Sequence, residues 1–282
     1  MPPKIYGVLG FPARHSLSPA MHNAAFRALK INAEYTFFEK KPKDLEGFLH
    51  SLSKENIYGL NVTIPYKEKV LEYLQWKSPE VRFTGAANTI IVKDKNYLEG
   101  WNTDGIGFHR HLTKDLKFNP SNKTATILGA GGAAKAIANQ LARREAKIIY
   151  LYDIDKDKNL SLAEKINKEF PKCHAIPANS IEGLDIENSD LLINATPVGM
   201  KENDPLLISA DKLHSGLLIY DLIYNPPETK LIKIGKEKGA RTSNGLGMLL
   251  YQGARSFELW WTDKKAPIEI MRQALNQGVA KL

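Results

Sequence analysis

The sequence predicts a two-domain α/β protein, with a mixed α/β first domain and a doubly wound parallel sheet in the second. Its 282 residues are many for one compact domain. Short apolar runs alternate with helix-like stretches along the chain, and a glycine-rich segment lies near its middle. We expect a first domain over residues 1–104, completed by helices within 248–282, a second over 105–247, and a cleft between them.

The first domain is predicted from alternating strand-like and helix-like segments. The strand-like runs cover 5–11, 33–38, 58–65, 88–92 and 96–103. The helix-like stretches cover 19–29, 44–52 and 68–74. Near the other end of the chain, 247–259 and 268–276 have apolar residues at helical spacing, and we expect both to pack on the first domain.

The second domain is predicted from five further apolar runs separated by helical segments and Gly, Pro or Asn residues. The runs cover 124–130, 147–153, 173–178, 191–197 and 217–223. Strands that alternate with helices form a parallel sheet with helices on both faces. Ligands of such sheets bind at the carboxyl ends of the strands.

A phosphate-binding loop is predicted where the first of these runs ends. The loop contains Gly129, Ala130, Gly131, Gly132 and Ala133. A phosphate approaches the backbone closely only where no side chain intervenes, and the following helix points N–H groups at the anion. The strand, loop, helix and strand order predicts a Rossmann-type dinucleotide-binding domain.

Asp153, which ends the second run, predicts the choice of dinucleotide. A carboxylate about 20 residues beyond the loop accepts hydrogen bonds from the free ribose hydroxyls of NAD. The same carboxylate repels the additional phosphate of NADP. We therefore expect NAD to be the preferred cofactor.

Composition argues against several other classes of protein. The net charge is +8, but the basic residues are scattered, so we expect a small-molecule substrate and no nucleic acid. No apolar run approaches the roughly 20 residues that span a bilayer, and the start lacks a signal-peptide pattern, so no membrane association and a cytoplasmic location are expected. Cys173 is the single cysteine, so we expect neither an internal disulfide nor a thiol role for it. His15 and His22 lack clustered ligands, which predicts no metal. A monomer and a homodimer both fit the sequence.

Two segments of the first domain offer a proton carrier. Residues 61–67 end a strand with polar groups and Lys67, and residues 100–105 end another with Asp104. A nicotinamide enzyme needs an acid/base group, because oxidation of an alcohol releases a proton together with a hydride. Taken singly, an exposed lysine and a turn aspartate are ordinarily just solvated.

At these residues the chain resembles the shikimate dehydrogenase family, including its quinate/shikimate branch, over essentially its whole length. The motifs that carry the resemblance agree in order and spacing. They are Ser16–Pro19, Asn61–Lys67, Gly85–Thr89, Gly100–Gly105, Gly129–Ala134, Asn194–Pro197 with Gly199 and Met200, and Gly245–Leu249 followed by Gln252.

The resemblance implies reversible NAD(P)-dependent reduction of 3-dehydroshikimate to shikimate. It places Lys67 and Asp104 as the catalytic pair. The implied substrate residues are Ser16, Ser18, Thr63, Asn88, Tyr224 and Gln252. The implied cofactor residues, beyond the glycine loop and Asp153, are Ile154, Thr196, Leu222 and Gly245.

The chain departs from the family pattern at the end of the second run. Most members, by this resemblance, use NADP and have an Asn-Arg-Thr sequence there, whose arginine pairs with the additional phosphate. This chain has Asp153, Ile154 and Asp155, which disfavours NADP, although Lys156 and Lys158 follow. NAD use leaves quinate open as a second substrate.

Two alternatives remain at this stage. One is another two-domain NAD(P) enzyme, such as a methylenetetrahydrofolate dehydrogenase, which would leave the Ser16–Pro19 and Gly85–Thr89 motifs unexplained. The other is a catalytically silent NAD-binding homologue. Such proteins commonly lose the proton carrier, so the presence of both Lys67 and Asp104 argues against it.

Overall fold

A computed structural model describes residues 2–280 and divides the chain into two compact units. The first unit contains residues up to Gly107 together with those from Leu250 onward, and the second is Phe108–Leu249. The α/β class predicted from the sequence is confirmed, with one six-stranded sheet in each unit. None of the helices within residues 2–280 has the length and apolar character to cross a membrane.

The first unit contains a mixed sheet. Its strands are β1 (Lys4–Gly10), β2 (Ala33–Glu39), β3 (Ile57–Val62), β4 (Trp76–Lys77), β5 (Thr89–Val92) and β6 (Leu98–Trp101). Its helices in this part of the chain are α1 (Ser18–Ala28), α2 (Leu45–Ser51) and α3 (Pro79–Thr84), with 3₁₀ turns at Pro42–Asp44, Lys69–Tyr73 and Asp94–Asn96. The next helix, α4 (Asp104–Lys114), begins in this unit, and its residues from Phe108 onward belong to the second. The strand order is β2-β1-β3-β5-β6-β4.

The direction of β5 brings three motif segments to one edge of this sheet. β5 is antiparallel to both of its neighbours, β3 and β6. Thr89 at its start is therefore paired with Asn61 near the end of β3 and with Trp101 at the end of β6. Polar residues that follow β3 and β6 thus lie beside those that precede β5.

Three elements of the first unit were not predicted from the sequence. β4 has only two residues, and α3 is a single short helix that begins after Ser78, whose Oγ accepts the Val81 N–H, and ends at Gly85 with a left-handed φ of 66°. α4 begins at Asp104, inside a motif whose glycines indicate a turn. The predicted helix over 68–74 was wrong in type, since a 3₁₀ turn spans Lys69–Tyr73.

The second unit contains an all-parallel sheet. Its strands are β7 (Thr124–Leu128), β8 (Ile148–Tyr152), β9 (His174–Pro177), β10 (Leu191–Asn194), β11 (Leu218–Asp221) and β12 (Arg241–Ser243). The order β12-β11-β10-β7-β8-β9 is the doubly wound arrangement that the sequence predicts. Its helices are α5 (Gly132–Arg143), α6 (Lys156–Glu169) and α7 (Lys230–Glu237), with a 3₁₀ turn at Ala210–Lys212.

The residue types account for the central β-α-β segment. β7 has no charged residue and four of its five residues are buried. The next helix, α5, buries Ile137 and Leu141 one turn apart on its inner face. β12 was missed because Arg241–Ser243 is short and polar, so it lacks the apolar pattern of a central strand.

Two helices follow β12. α8 (Leu246–Trp260) and α9 (Ile268–Val279) match the segments predicted near this end of the chain. Most of α8 and all of α9 belong to the first unit, where α9 packs against α1.

Candidate active site

The two predicted proton-transfer groups are in direct contact. Lys67 Nζ lies 2.8 Å from Asp104 Oδ2, and the exposed fractions of the two side chains are 27% and 8%. Lys67 lies five residues beyond β3, and Asp104 is the first residue of α4. A carboxylate in the first turn of a helix is stabilised by the N-terminal end of the helix dipole. The pair thus combines a nearly buried anion with a partly accessible ammonium group.

Asn88 holds the second carboxylate oxygen. Its Nδ2 donates to Asp104 Oδ1 at 2.7 Å and lies 3.4 Å from Gln252 Oε1. The backbone joins the same segments, since the Ala87 N–H donates to the Lys67 carbonyl at 2.8 Å. Four predicted site residues, from three separate stretches of the chain and from α8, therefore form one connected group.

The predicted substrate residues Ser16, Ser18 and Thr63 lie after β1 and β3. The Ser18 N–H donates to Ser16 Oγ at 3.2 Å, which leaves the Ser16 hydroxyl hydrogen pointing elsewhere. Thr63 follows β3 directly, and its N–H donates to the Leu9 carbonyl at 2.9 Å.

Glu39, at the end of β2, holds the segment before Ser16, and sequence reasoning missed it. Its carboxylate accepts from the Ala13 N–H at 2.9 Å and from Arg14 Nε at 2.7 Å. The Ala13 N–H, together with Arg14, lowers the pKa of the Glu39 carboxyl group below its ordinary value. A glutamate that ends a strand carries no local signal that would assign it this role.

Tyr224 belongs to the second unit, unlike the other predicted substrate residues. It lies three residues beyond β11 and is half-buried. Burial raises the pKa of its phenol above the ordinary value. Its hydroxyl is therefore protonated at neutral pH and can donate a hydrogen bond.

The glycine-rich loop of the second unit fits a dinucleotide phosphate. Gly129 has a φ of 105°, a conformation that L side chains rarely adopt. A Cβ added to Gly131 would meet no protein atom within 4 Å, so there is open space in front of this residue. No side chain caps α5, which leaves the first N–H groups of the helix available to an anion.

Asp153 is bound to this loop. Its Oδ2 accepts from the Ala130 N–H at 2.6 Å, and its Oδ1 accepts from the Asp155 N–H at 2.8 Å. Each oxygen keeps further acceptor capacity, because an ionised carboxylate has about four lone-pair positions. Asp155 caps α6 and lies 2.9 Å from Lys158 Nζ, which lowers the pKa of the Asp155 carboxyl group.

Four predicted cofactor positions remain: Ile154 follows Asp153 and is exposed, and the other three lie after β10 (Thr196), after β11 (Leu222) and before α8 (Gly245). The Thr196 N–H and hydroxyl both donate to Asn194 Oδ1, at 3.1 and 2.7 Å. A Cβ on Gly245 would clash with the backbone of Leu222, so these two positions are in close backbone contact. Asp221, which sequence reasoning missed, accepts from Asn194, Thr229 and the Ile223 N–H and so fixes both loops.

The structure also places Cys173, His15 and His22, for which no thiol or metal-binding role was predicted. Within residues 2–280, no group of three or more His, Cys, Asp or Glu side chains is arranged to hold a metal ion. His15 is exposed, whereas His22 is fully buried and stacked on Tyr35 with ring centroids 4.5 Å apart. Burial raises the pKa of the Cys173 thiol to about 11, which disfavours the reactive thiolate.

Comparisons with known proteins all point to one family. Residues 8–90 match the model of the shikimate dehydrogenase substrate binding domain, and residues 245–275 match that of the shikimate 5'-dehydrogenase C-terminal domain. A shikimate dehydrogenase (NADP(+)) of Methanopyrus kandleri is 43% identical over 278 residues, which cover 96% of this chain and 94% of the relative.

Solved structures are similar over nearly the whole chain. One is a shikimate dehydrogenase in complex with NADP+, with a TM-score of 0.90 and 36% identity, covering 98% of this chain and 96% of that one. Another is the shikimate 5-dehydrogenase of Listeria monocytogenes in complex with shikimate and NAD, with a TM-score of 0.89 and 39% identity, covering 97% and 96%.

Proposed function

Since this chain belongs to the shikimate dehydrogenase family of oxidoreductases, we propose that it catalyses the reversible reduction of 3-dehydroshikimate to shikimate with NAD as the preferred cofactor. The observation that carries the proposal is the 2.8 Å contact between Lys67 and Asp104. Lys67, held by Asp104, is the proton carrier that a catalytically silent NAD-binding homologue would have lost.

Lys67 is the proposed general acid/base. In the direction of reduction, its ammonium group donates a proton to the carbonyl oxygen of the substrate; in the direction of oxidation, the neutral amine accepts the alcohol proton. The bound nicotinamide supplies or takes up the hydride. Asp104 orients the ammonium group, and Asn88 in turn orients Asp104.

The proposed substrate residues offer hydrogen bonds without adding charge. Shikimate has one carboxylate and three hydroxyl groups, and the chain offers hydroxyl and amide side chains for them. These are Ser16, Ser18, Thr63, Asn88 and Gln252, with Tyr224 assigned by the resemblance. A site with such groups rejects analogues that lack a hydroxyl, because its own polar atoms would be left unpaired.

Initial rates of the purified protein, measured with shikimate or quinate and with NAD or NADP, test the proposal. We expect the highest kcat/KM with shikimate and NAD. Higher kcat/KM with quinate would move the substrate assignment to the quinate branch. Folded protein that binds NAD and turns over neither substrate would contradict the proposed activity.

The shape of the loop supports the proposed pyrophosphate site, and the resemblance assigns the cofactor contacts beyond the loop and Asp153. The N–H groups at the start of α5 would bind the pyrophosphate in front of Gly131, and Asp153 would accept from the adenosine ribose. Ile154, Thr196, Leu222 and Gly245 are the remaining proposed cofactor contacts. The open space at Gly131 and the uncapped helix support the assignment of the loop to the pyrophosphate.

Replacing Gly131 with alanine tests the loop. Its φ of −73° is one that alanine adopts, and an added Cβ meets no protein atom within 4 Å, so we expect a melting temperature that is unchanged or slightly higher. The methyl group would fill the space in front of the loop and raise the KM for the cofactor about 5- to 100-fold. Gly47→Ala in α2, where a Cβ also has open space, is the matched control and should leave this KM unchanged. An unchanged cofactor KM in Gly131→Ala would contradict the assignment.

The charges at the end of β8 favour NAD over NADP. At positions 153–155 the NADP-using pattern has an arginine between two uncharged residues. This chain has carboxylates at the two outer positions, Asp153 and Asp155, and no arginine between them. Of the two lysines that follow, Lys156 and Lys158, the second is bound to Asp155. An additional phosphate would therefore meet repulsion without a bidentate partner.

An Ile154→Arg variant tests this argument. Ile154 is 90% exposed, so an arginine there disturbs no packing. Its guanidinium group would pair with the additional phosphate of NADP, and we expect the ratio of kcat/KM for NADP to that for NAD to rise about 10-fold. Leu160→Arg on α6, another exposed position, adds the same charge away from the strand end and should leave the ratio unchanged. A wild-type kcat/KM with NADP that equals or exceeds the kcat/KM with NAD would contradict the preference itself.

A further inference from the structure

Behind Asn88 lies a group of buried polar side chains to which the proposed reaction assigns no role. They come from β3, β5, the segment before α4, and α8: Asn61, Thr89, Thr103 and Ser256. Each is at most 6% exposed. Buried polar groups are costly unless they are hydrogen-bonded, and here they are bonded to one another.

The orientation of the Asn88 amide follows from its partners. The Thr103 N–H, which can only donate, lies 2.8 Å from Asn88 Oδ1. The ionised Asp104 carboxylate, which can only accept, lies 2.7 Å from Asn88 Nδ2. The amide therefore presents its oxygen to the buried group and its nitrogen to Asp104.

The orientation of the Asn61 amide is fixed in the same way. Its Nδ2 lies 3.3 Å from the Asn88 carbonyl oxygen, which only accepts, and its Oδ1 receives the Tyr35 hydroxyl at 2.8 Å. Asn61 Nδ2 is therefore the donor in its contacts with Thr89 Oγ1, at 3.2 Å, and Ser256 Oγ, at 2.9 Å, and its two hydrogens are shared among these oxygens and the Asn88 carbonyl.

Thr89 connects the two amides. Its oxygen accepts from Asn61 Nδ2, and its hydroxyl donates to Asn88 Oδ1 at 3.0 Å. Ser256 Oγ lies closer to Thr89 Oγ1, at 2.8 Å, than to the Gln252 carbonyl, at 3.0 Å, and its hydroxyl donates to Thr89. The Thr89 hydroxyl hydrogen is thus available to Asn88.

We propose that Thr89 is a positioning residue that holds the Asn88 amide in the orientation that presents its N–H to Asp104, and that it thereby fixes Asp104 against Lys67. The inference rests on the proposed function, since its effect is read in that reaction. Thr89 itself is fully buried in β5 and acts through Asn88.

A double-mutant cycle with Thr89→Val and Asn88→Ala tests whether Thr89 acts through Asn88. Valine keeps the branched shape and removes only the hydroxyl group. One lost hydrogen bond corresponds to about a 3- to 10-fold fall in kcat/KM for shikimate. In the Asn88→Ala background, the same substitution should change kcat/KM less than about 2-fold. The KM for the dinucleotide should stay constant, and Thr89→Ser should restore most of the loss.

Thr126→Val is the matched control. Thr126 is a fully buried threonine of β7, and its Oγ1 lies 2.8 Å from Ser189 Oγ, so it loses a comparable hydrogen bond in the second unit. We expect kcat/KM for shikimate to be unchanged in this variant. If the Thr89→Val protein does not fold, Thr89→Ala takes its place in the same cycle. Alanine also removes the hydroxyl group but leaves a small void where the threonine methyl group was.

The outcomes separate this inference from the proposed function. An equal fall in kcat/KM in both backgrounds, or a serine variant as impaired as the valine variant, overturns the role of Thr89 while the activity stands. Wild-type protein that is inactive with shikimate overturns the proposed function and this inference with it.

Discussion

Replacing Lys67 with methionine is expected to lower kcat by about 10²- to 10⁴-fold in both directions of the reaction. Methionine keeps an unbranched side chain of similar length but has no proton to exchange. The loss of positive charge also removes the 2.8 Å partner of Asp104. Because Lys67 lies in the first unit and the glycine-rich loop in the second, the dissociation constant of NAD should change much less than kcat.

Steady-state rates and a separate titration of NAD binding measure the two effects. Lys69→Met, an exposed lysine two residues further on in the 3₁₀ turn, removes the same charge and should retain wild-type kcat. A Lys67→Met protein with full activity would show that another group transfers the proton.

Acidification from pH 7 to pH 4 is expected to cost the folded protein about 3 kcal/mol through His22 alone. Burial lowers the pKa of His22 from 6.5 to about 3. Below pH 6.5 the unfolded chain binds a proton at this residue that the folded chain does not, so stability falls as the pH falls towards 3. Neither ring nitrogen has a hydrogen-bond partner among the described residues, so no contact offsets the burial.

The difference in unfolding free energy between wild type and His22→Leu isolates this contribution, since other titrating groups cancel. Urea unfolding at pH 7 and at pH 4 should give differences that are about 3 kcal/mol apart, with the wild type relatively less stable at pH 4. Phe26→Leu, a buried non-titrating neighbour whose ring lies 6.4 Å from that of His22, should give the same difference at both pH values. Parallel curves for His22→Leu would contradict the assignment.

The second unit was predictable because its signals are local. The residues of β7, the glycine-rich loop and α5 are consecutive, and the apolar period and the glycines mark each boundary. Asp153 was likewise predicted to be a ribose-binding residue from its distance beyond the loop. Its bond to the Ala130 N–H was not predicted, because that contact depends on how β7 and β8 are paired.

The first unit was predictable only in part, since its sheet depends on pairings between distant residues. The motifs predict Lys67 and Asp104 as the catalytic pair, but no local pattern indicates that β5 is antiparallel to its neighbours. That direction places Asn61, Thr89 and Thr103 in one buried group. Thr89 and Asn61 therefore had no assigned role in the sequence, although both lie in recognised motifs.

The long separation between partners in the first unit has a consequence for synthesis of the chain. Asn61 is bonded to Ser256, 195 residues away, and Asn88 contacts Gln252, 164 residues away. The whole second unit lies between these partners in sequence, so a ribosome produces all of it before the first unit can close. Since domains fold as units during translation, the second unit can fold while the first remains open. Nascent chains that end before Gln252 are therefore expected to acquire the dinucleotide-binding sheet without dehydrogenase activity.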